Sequence, residues 1–411
     1  MILSLLIQTA MSKPGPYLPP EIFDSIVDLL RDEPEQLNRC CLVSKSWVPC
    51  ARMHLFARVK FEHPSRLEAW KETFPDPANS PAHHIRLLVV DCPEDFTVAD
   101  SKEGGWPLVF PNLEQLELWS DANASRLNLV PFHNFSPILK SLHLIFKSVS
   151  LSQVFSLICS LPLLEDLSLD IIDVEISGED DTVFWPSTSP PLTGTLTLTL
   201  FHDMDYVVRR LLDLPNGLRF RNILCKLSHG EDFEWVTALV EECSDTLEYA
   251  NVGCFTTRRE LCPFSFHNGT GSIFQNFVRS RIFFFSAVSL DFSKAIKLKE
   301  VMFRFNTRHT TWAVLALKTI TSKHGDLQQI SIFFPFNARD TIDKYTYNQW
   351  MDLDRSLVQL WDSHGIRVNI VCNVGEENRE GFWEWIGALF PETKKRGIIG
   401  VHRPVQSSDA R

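Results

Sequence analysis

The residues best equipped for chemistry are spread thinly along this chain. Ten cysteines stand at Cys40, Cys41, Cys50, Cys92, Cys159, Cys225, Cys243, Cys254, Cys262 and Cys372. None forms a Cys-x-x-Cys pair, and the nearby histidines do not fall at zinc-ligand spacing, so no metal centre is expected. Several, Cys159 and Cys225 among them, sit inside apolar runs, where cysteine behaves as a small buried hydrophobe. A reducing compartment is the simpler reading. His83 and His84 adjoin one another just ahead of a strand and are expected to point to different sides, suited to capping or solvent. Glu179, Asp180 and Asp181 follow Ser177 and Gly178 and read as a solvated loop. Asn268-Gly269-Thr270-Gly271 lacks the lysine and spacing of a phosphate cradle and reads as a turn. It also matches a glycosylation sequon, which would matter only in a secreted chain. Walker, Gly-x-Gly-x-x-Gly, His-Glu-x-x-His and Gly-x-Ser-x-Gly motifs are all absent. No catalytic residue and no cofactor are expected.

Length and charge narrow the classes further. The chain has 411 residues, 44% of them hydrophobic and 22% charged, an ordinary globular composition. It is long enough for two or three domains or one elongated repeat. The formal net charge is −11, and residues 1–60 carry seven Lys and Arg against six Asp and Glu, so the surplus acid lies beyond them. Such a body lacks the cations that neutralise phosphates, and nucleic acid is not an expected partner. A basic protein segment is compatible with it, although surplus acid is also a common route to solubility. The apolar stretch Met1 to Ala10 is too short to cross a bilayer and has no basic region before it. Residues 1–14 therefore read as a disordered leader, with no membrane association and a cytoplasmic or nuclear location.

Most of the chain repeats itself. Strand-like runs begin near Ile85 (IRLLVVD), Leu113 (LEQLELWS), Leu139 (LKSLHLIF), Leu164 (LEDLSLDI), Leu192 (LTGTLTLTL), Leu218 (LRFRNILC) and Leu247 (LEYANVGC), at intervals of 28, 26, 25, 28, 26 and 29 residues. Two more follow at Leu298 (LKEVMFRF) and Leu327 (LQQISIFF), 29 apart, and a last at Ile366 (IRVNIVC). Phe274 to Leu290 would supply an irregular unit in the longer gap, and Ile282 to Val288 reads as a buried strand. Helical patterns lie between the runs, at Leu151 to Leu161, Tyr206 to Leu214, Phe233 to Cys243, Trp312 to Ser322 and Asn348 to Asp362. The form Leu-x-x-Leu-x-Leu at this period resembles the leucine-rich repeat, with the usual asparagine missing from most units. That resemblance implies stacked strand–helix units, a parallel sheet and a continuous core. A doubly wound α/β domain is the competing architecture. Phe283, Phe284, Phe285, Phe303, Phe305, Phe333, Phe334 and Phe336 read as core and strand aromatics, whereas Trp119 is expected to be exposed.

The segment from Leu18 to Phe61 follows other rules. Pro19 and Pro20 start a helix where their missing N–H costs nothing, and Glu21 suits its first turn. Ile22, Ile26, Val27, Leu29 and Leu30 recur at helical spacing. Pro34 closes that helix, Glu35 to Val43 reads as a second, and Ser44 as the N-cap of a third from Lys45 into Arg52. Three helices in about 45 residues bury little surface and need a partner or a neighbouring domain. By itself the pattern suits a helical cap on a larger domain.

The order Leu-Pro-Pro-Glu, apolar helix, Leu-Val-Ser-Lys-Ser-Trp, then Leu-Phe resembles the F-box across the whole segment. The resemblance implies docking on the Skp adaptor, and through it on cullin, by Leu18, Pro19, Ile22, Ile26, Leu42, Val43 and Trp47. The expected fold is thus an α/β repeat protein: an F-box over 15–61, a degenerate leucine-rich-repeat-like solenoid over 62–375, and a helical cap and tail over 376–411. The implied function is substrate receptor of an SCF-type (Skp–cullin–F-box) ubiquitin ligase, not an enzyme in itself. By analogy, a protein substrate would meet outward-facing strand residues, notably Glu117, Trp119, His143 and Asp170. An α/β enzyme with unrecognised motifs, or a scaffold with an F-box-like cap, remain the alternatives.

Overall fold

The computed structural model describes residues 19–76, 80–91, 110–121, 128–133, 136–175, 189–200, 204–227, 232–254, 290–305, 310–334, 344–372 and 379–402. Leu18, the leader, the acidic loop at 179–181, the Asn268 turn, Phe283, Phe284, Phe285, Phe336 and the strand read at 282–288 lie outside them. Three helices open the described chain: α1 (Pro20–Leu29), α2 (Pro34–Val43) and α3 (Val48–Leu55). Pro34 does not close the first helix but occupies the first turn of the second, where its ring is pre-organised. Ser44 does not cap α3. Its hydroxyl turns back to the backbone N–H and side chain of Ser46, and Trp47 precedes the helix without a side-chain cap.

The remainder is built on one parallel sheet of twelve strands, whose spatial order is the chain order from first to last. They are β1 (Arg58–Phe61), β2 (Leu87–Asp91), β3 (Gln115–Ser120), β4 (Ser141–Ser150), β5 (Asp166–Glu175), β6 (Thr195–Leu200), β7 (Asn222–Leu227), β8 (Tyr249–Cys254), β9 (Glu300–Phe305), β10 (Gln329–Phe334), β11 (Arg367–Cys372) and β12 (Ile399–His402). All ten runs read from the sequence are strands. The sheet also takes in Arg58–Phe61 and Ile399–His402, so it starts inside the segment assigned to the helices and ends inside the one assigned to the cap. Helices fill most connections: α4 (Pro64–Thr73), α5 (Leu151–Ser160), α6 (Met204–Leu212), α7 (Phe233–Glu242), α8 (Thr311–Lys318), α9 (Lys344–His364), α10 (Arg379–Leu389) and α11 (Pro391–Lys395).

The leucine ahead of each strand is the reason the pattern repeats. Ile85, Leu113, Leu139, Leu164, Leu192, Leu218, Leu247, Leu298, Leu327 and Ile366 are all buried. Next to it the backbone joins the units. The Arg86 carbonyl accepts the N–H groups of Glu114 and Gln115, the Glu114 carbonyl those of Lys140 and Ser141, and the Lys140 carbonyl those of Glu165 and Asp166. Each new strand thereby satisfies backbone groups that would otherwise be left bare beside an apolar core.

Two cores result. The large one runs from Phe61 to Ile398, and aromatics fill its C-terminal half, with Trp350 stacked on Phe334 at 5.2 Å. Phe303, Phe305 and Phe334 are core residues, as read, while Phe333 is only partly covered. Asp354 on α9 is buried and receives the backbone N–H groups of Glu392 and Thr393, which tethers the start of α11. The small core belongs to the first three helices and consists of Val27, Leu37, Cys40 and Ala51.

Candidate interaction surfaces

The three-helix bundle keeps little of its apolar surface for itself. Burying Val27 and Leu37 contributes about 1.5–3 kcal/mol each. Leu29 and Leu42, however, are 85% and 88% exposed, with Ile22 at 45% and Val43 at 47%. Four large hydrophobes left open on so small a bundle each gain free energy when covered. On α1 the spacing separates the faces. Phe23, Val27 and Leu30 line the side toward the core, while Ile22 and Leu29, seven apart, share one flank.

Of the residues expected to meet the adaptor, Pro19, Ile22, Leu42 and Val43 are exposed. Ile26 and Trp47 are half-buried. Trp47 packs on the bundle core, and its ring stands 5.3 Å from that of Phe23, so it helps hold α1 in place. Leu18 lies outside the described residues. Leu29 is the residue that the sequence reading left in the apolar stripe and the structure leaves in the open.

The second surface is one face of the sheet. Along β3 the burial alternates: Leu116, Leu118 and Ser120 are buried, whereas Gln115, Glu117 and Trp119 face the other way and are exposed or partly so. The same alternation holds along β5, β7 and β9, so one face is core and the other is open. Glu117, Trp119, His143 and Asp170 all stand on the open face. Glu117 pairs in register with His143, and Trp119 pairs with Ile145, whose other neighbour is Asp170.

Their environments differ. His143 Nδ1 lies 3.7 Å from Glu117 Oε1. The His143 imidazole beside it holds the Glu117 carboxyl below its ordinary range, against the cost of partial burial. Burial pushes the Asp170 carboxyl up, opposed by Lys226 and His143. Trp119 is half-buried, not exposed, and the Lys60 ammonium lies over its ring at 5.9 Å. Its Nε1 is buried without a partner of good hydrogen-bond geometry, yet near enough to Glu117 to favour the ionised carboxylate.

Farther along, the open face mixes both signs, with Glu300 on β9 beside the cations. Asp91, Glu117 and Asp170 lie on β2, β3 and β5, and Lys226 and Arg304 on β7 and β9. Arg304 Nε donates to Asn251 Oδ1 at 3.0 Å, and the guanidinium covers the Phe333 ring at 5.0 Å. Asn251 in turn donates to the Tyr249 hydroxyl at 3.2 Å. On β9 and β10, Glu300 accepts from Gln329 at 2.8 Å and from Ser331 at 2.9 Å. Among the described residues, polar side chains are therefore spread along the face and do not converge on one point. A cavity of about 280 Å³ lies elsewhere, lined by Trp383, Glu384, Ile386, Lys394 and Ile399 on α10, α11 and β12.

The histidine pair ahead of β2 departs from expectation. His83 and His84 do not diverge. A 3₁₀ turn over Pro81–His84 brings their rings to 3.9 Å, and His83 Nδ1 lies 2.8 Å from the Ser80 carbonyl. Burial and then His83 hold the His84 imidazole below its usual range.

No protein-family model matches this chain, and no curated protein matches it. Among the described residues, no helix is long and apolar enough to cross a membrane.

Proposed function

We propose that the chain is the substrate receptor of an SCF-type ubiquitin ligase, an F-box bundle joined to a leucine-rich-repeat-like solenoid. Ile22, Leu29, Leu42 and Val43 dock on the Skp adaptor, which links the chain to cullin, and the open face of the sheet recruits a protein substrate. The observation that carries this reading is the exposure of Leu42 and Val43, in the very motif that resembles the F-box, together with that of Ile22 and Leu29. Each leucine left in water forgoes about 1.5–3 kcal/mol, which a partner groove would recover.

The solenoid reading is supported by the sequential strand order, the one-sided burial and the linked carbonyls between units. A doubly wound sheet would reverse its strand order at some point and cover both faces. The absence of catalytic activity is part of the same proposal. An enzyme gathers its acids, bases and nucleophiles around one pocket, whereas here the polar groups extend across many strands. The substrate contact falls on Glu117, Trp119, His143 and Asp170, and the acidic strands β2 to β5 favour a basic segment there. The chain would then work in the cytoplasm or nucleus, where the adaptor is found.

Co-purification of the full chain with the Skp adaptor at low salt tests the proposal. Retention of the wild type, and its loss on combining Pro19→Ala with Leu42→Ala, is the expected result. A wild type that fails to bind overturns the ligase assignment, leaving the bundle as a helical cap.

A further inference from the structure

The flank of α1 opposite Ile22 and Leu29 carries a different kind of chemistry. Asp24 and Asp28 are four apart on α1, and Cys50 and His54 are four apart on α3, so each pair shares one face of its helix. Packing the two helices on Val27 and Ala51 turns these faces toward one another. His54 Nε2 lies 2.7 Å from Asp28 Oδ1. The donor atoms of Asp28, Cys50 and His54 all fall within 4.8 Å of each other. Asp24 stands one turn before Asp28 on the same side of α1 but is not among these three. Among the described residues, neither carboxylate is paired with a lysine or arginine.

We propose that Cys50, His54 and Asp28 form a zinc site that ties α1 to α3. One sulfur, one imidazole nitrogen and one carboxylate oxygen make three ligands of the types zinc prefers, and a solvent molecule would complete the tetrahedron on the open side. The His54 side chain is 16% exposed and that of Asp28 59%, so the cluster is open on one side and an ion can enter. Coordination exchanges the His54–Asp28 hydrogen bond for two metal bonds, and the two atoms then separate to about 3.3 Å, as bond lengths near 2.0–2.2 Å at a tetrahedral angle require. With one thiolate, one carboxylate and a neutral imidazole on Zn²⁺ the site is neutral. Cys50 releases its thiol proton to solvent and binds as thiolate, and His54 binds through Nε2 with its proton on Nδ1. Asp28 binds as carboxylate, and the metal stays Zn²⁺ throughout.

Such a site would do for the bundle what its four-residue core does only weakly. Metal bonds between helices are absent from the unfolded chain, so their free energy becomes folding free energy. Spacing alone hid it. A search for Cys-x-x-Cys passes over a Cys-x-x-x-His pair on one helix and a single Asp on another, because only the packed bundle makes them neighbours.

The test uses the full chain, stripped with a chelator and titrated with zinc sulphate in competition with a colorimetric chelator. One equivalent is expected per chain, with affinity lowered more than about 100-fold in Cys50→Ser and in His54→Gln, since even an outer partner of a zinc ligand is worth 10–100-fold. Cys40→Ser, which alters a buried thiol of the same bundle outside the cluster, should bind as the wild type does. Cobalt gives a readout that does not need a folded variant. The wild type loaded with Co²⁺ should show a thiolate-to-metal charge-transfer band together with tetrahedral visible bands. No stoichiometric zinc binding by the wild type, or a cobalt spectrum lacking the thiolate band, overturns the site. So does equal binding by Cys50→Ser in a chain whose circular dichroism is unchanged, which would leave the residues a hydrogen-bonded pair beside a free thiol.

Discussion

Glu117 on β3 and His143 on β4 are register partners on the open face of the sheet, with Oε1 and Nδ1 3.7 Å apart. The pair holds the Glu117 carboxyl below its ordinary range. A carboxylate whose folded-state pKa is depressed stabilises the fold above its unfolded value, near 4.3, and that stabilisation is lost as pH falls through the lower folded value. Urea denaturation at a series of pH values between neutral and 3 should therefore show an acid limb that Glu117→Gln flattens. An identical limb in the variant would mean that the pair is too well solvated to matter.

Asp170, two strands from Glu117 on the same face, should behave in the opposite sense. Burial raises its carboxyl, so keeping it ionised at neutral pH costs stability, and the cost disappears below its unfolded-state pKa. Asp170→Asn is expected to unfold at higher urea than the wild type at pH 7 and at the same urea near pH 3. If instead the substitution destabilises at pH 7, the Lys226 and His143 attraction outweighs burial.

The exposed leucines separate binding from stability. Leu29→Asp with Leu42→Asp should leave the melting temperature within a degree or two, because substitutions at such open positions usually change stability by less than about 0.5 kcal/mol. Adaptor binding should fall at least about tenfold, or 1.4 kcal/mol. Leu37→Ala, in contrast, opens a cavity in the small core and should cost about 2–5 kcal/mol, weakening binding only through loss of the bundle. Thermal denaturation and adaptor pull-down on the same three proteins distinguish the two effects.

Gly365 closes α9 before β11 with φ of 68°, and its N–H donates to the Trp361 carbonyl at 2.8 Å. A β-carbon there meets nothing within 4 Å, so the cost of Gly365→Ala is purely conformational, about 1–2 kcal/mol. Gly325→Ala has equally open surroundings and no left-handed backbone. It should be neutral, or stabilising by about 0.4–1 kcal/mol through the unfolded chain. Chemical denaturation of both variants checks the difference.

Ten strands were legible because each is a local pattern. A leucine to bury, two residues to turn, then alternation with period two say where a strand must lie whatever it pairs with. The helices between them were legible for the same reason. β1 and β12 were not, since RVKF and IGVH are too short to show a period, and they become strands only by adding to an edge already formed. Pairing partners also lay beyond the sequence. Nothing in LEQLELWS or LKSLHLIF says that Glu117 will meet His143, or that Lys60 will cover Trp119, because register is set by neighbouring units. The apolar stripe of α1 announced a helix but not which of its residues stay in water. Val27 is buried and Leu29 exposed because the bundle has too few helices to cover both. Likewise Cys50 and His54 are a regular helical spacing, and Asp28 a single acid on another helix, until α1 and α3 pack. The sequence by itself determined the elements, through local periodicity; only the tertiary structure decided which side chains face each other and which face solvent, because those depend on surfaces that exist only once the elements stack.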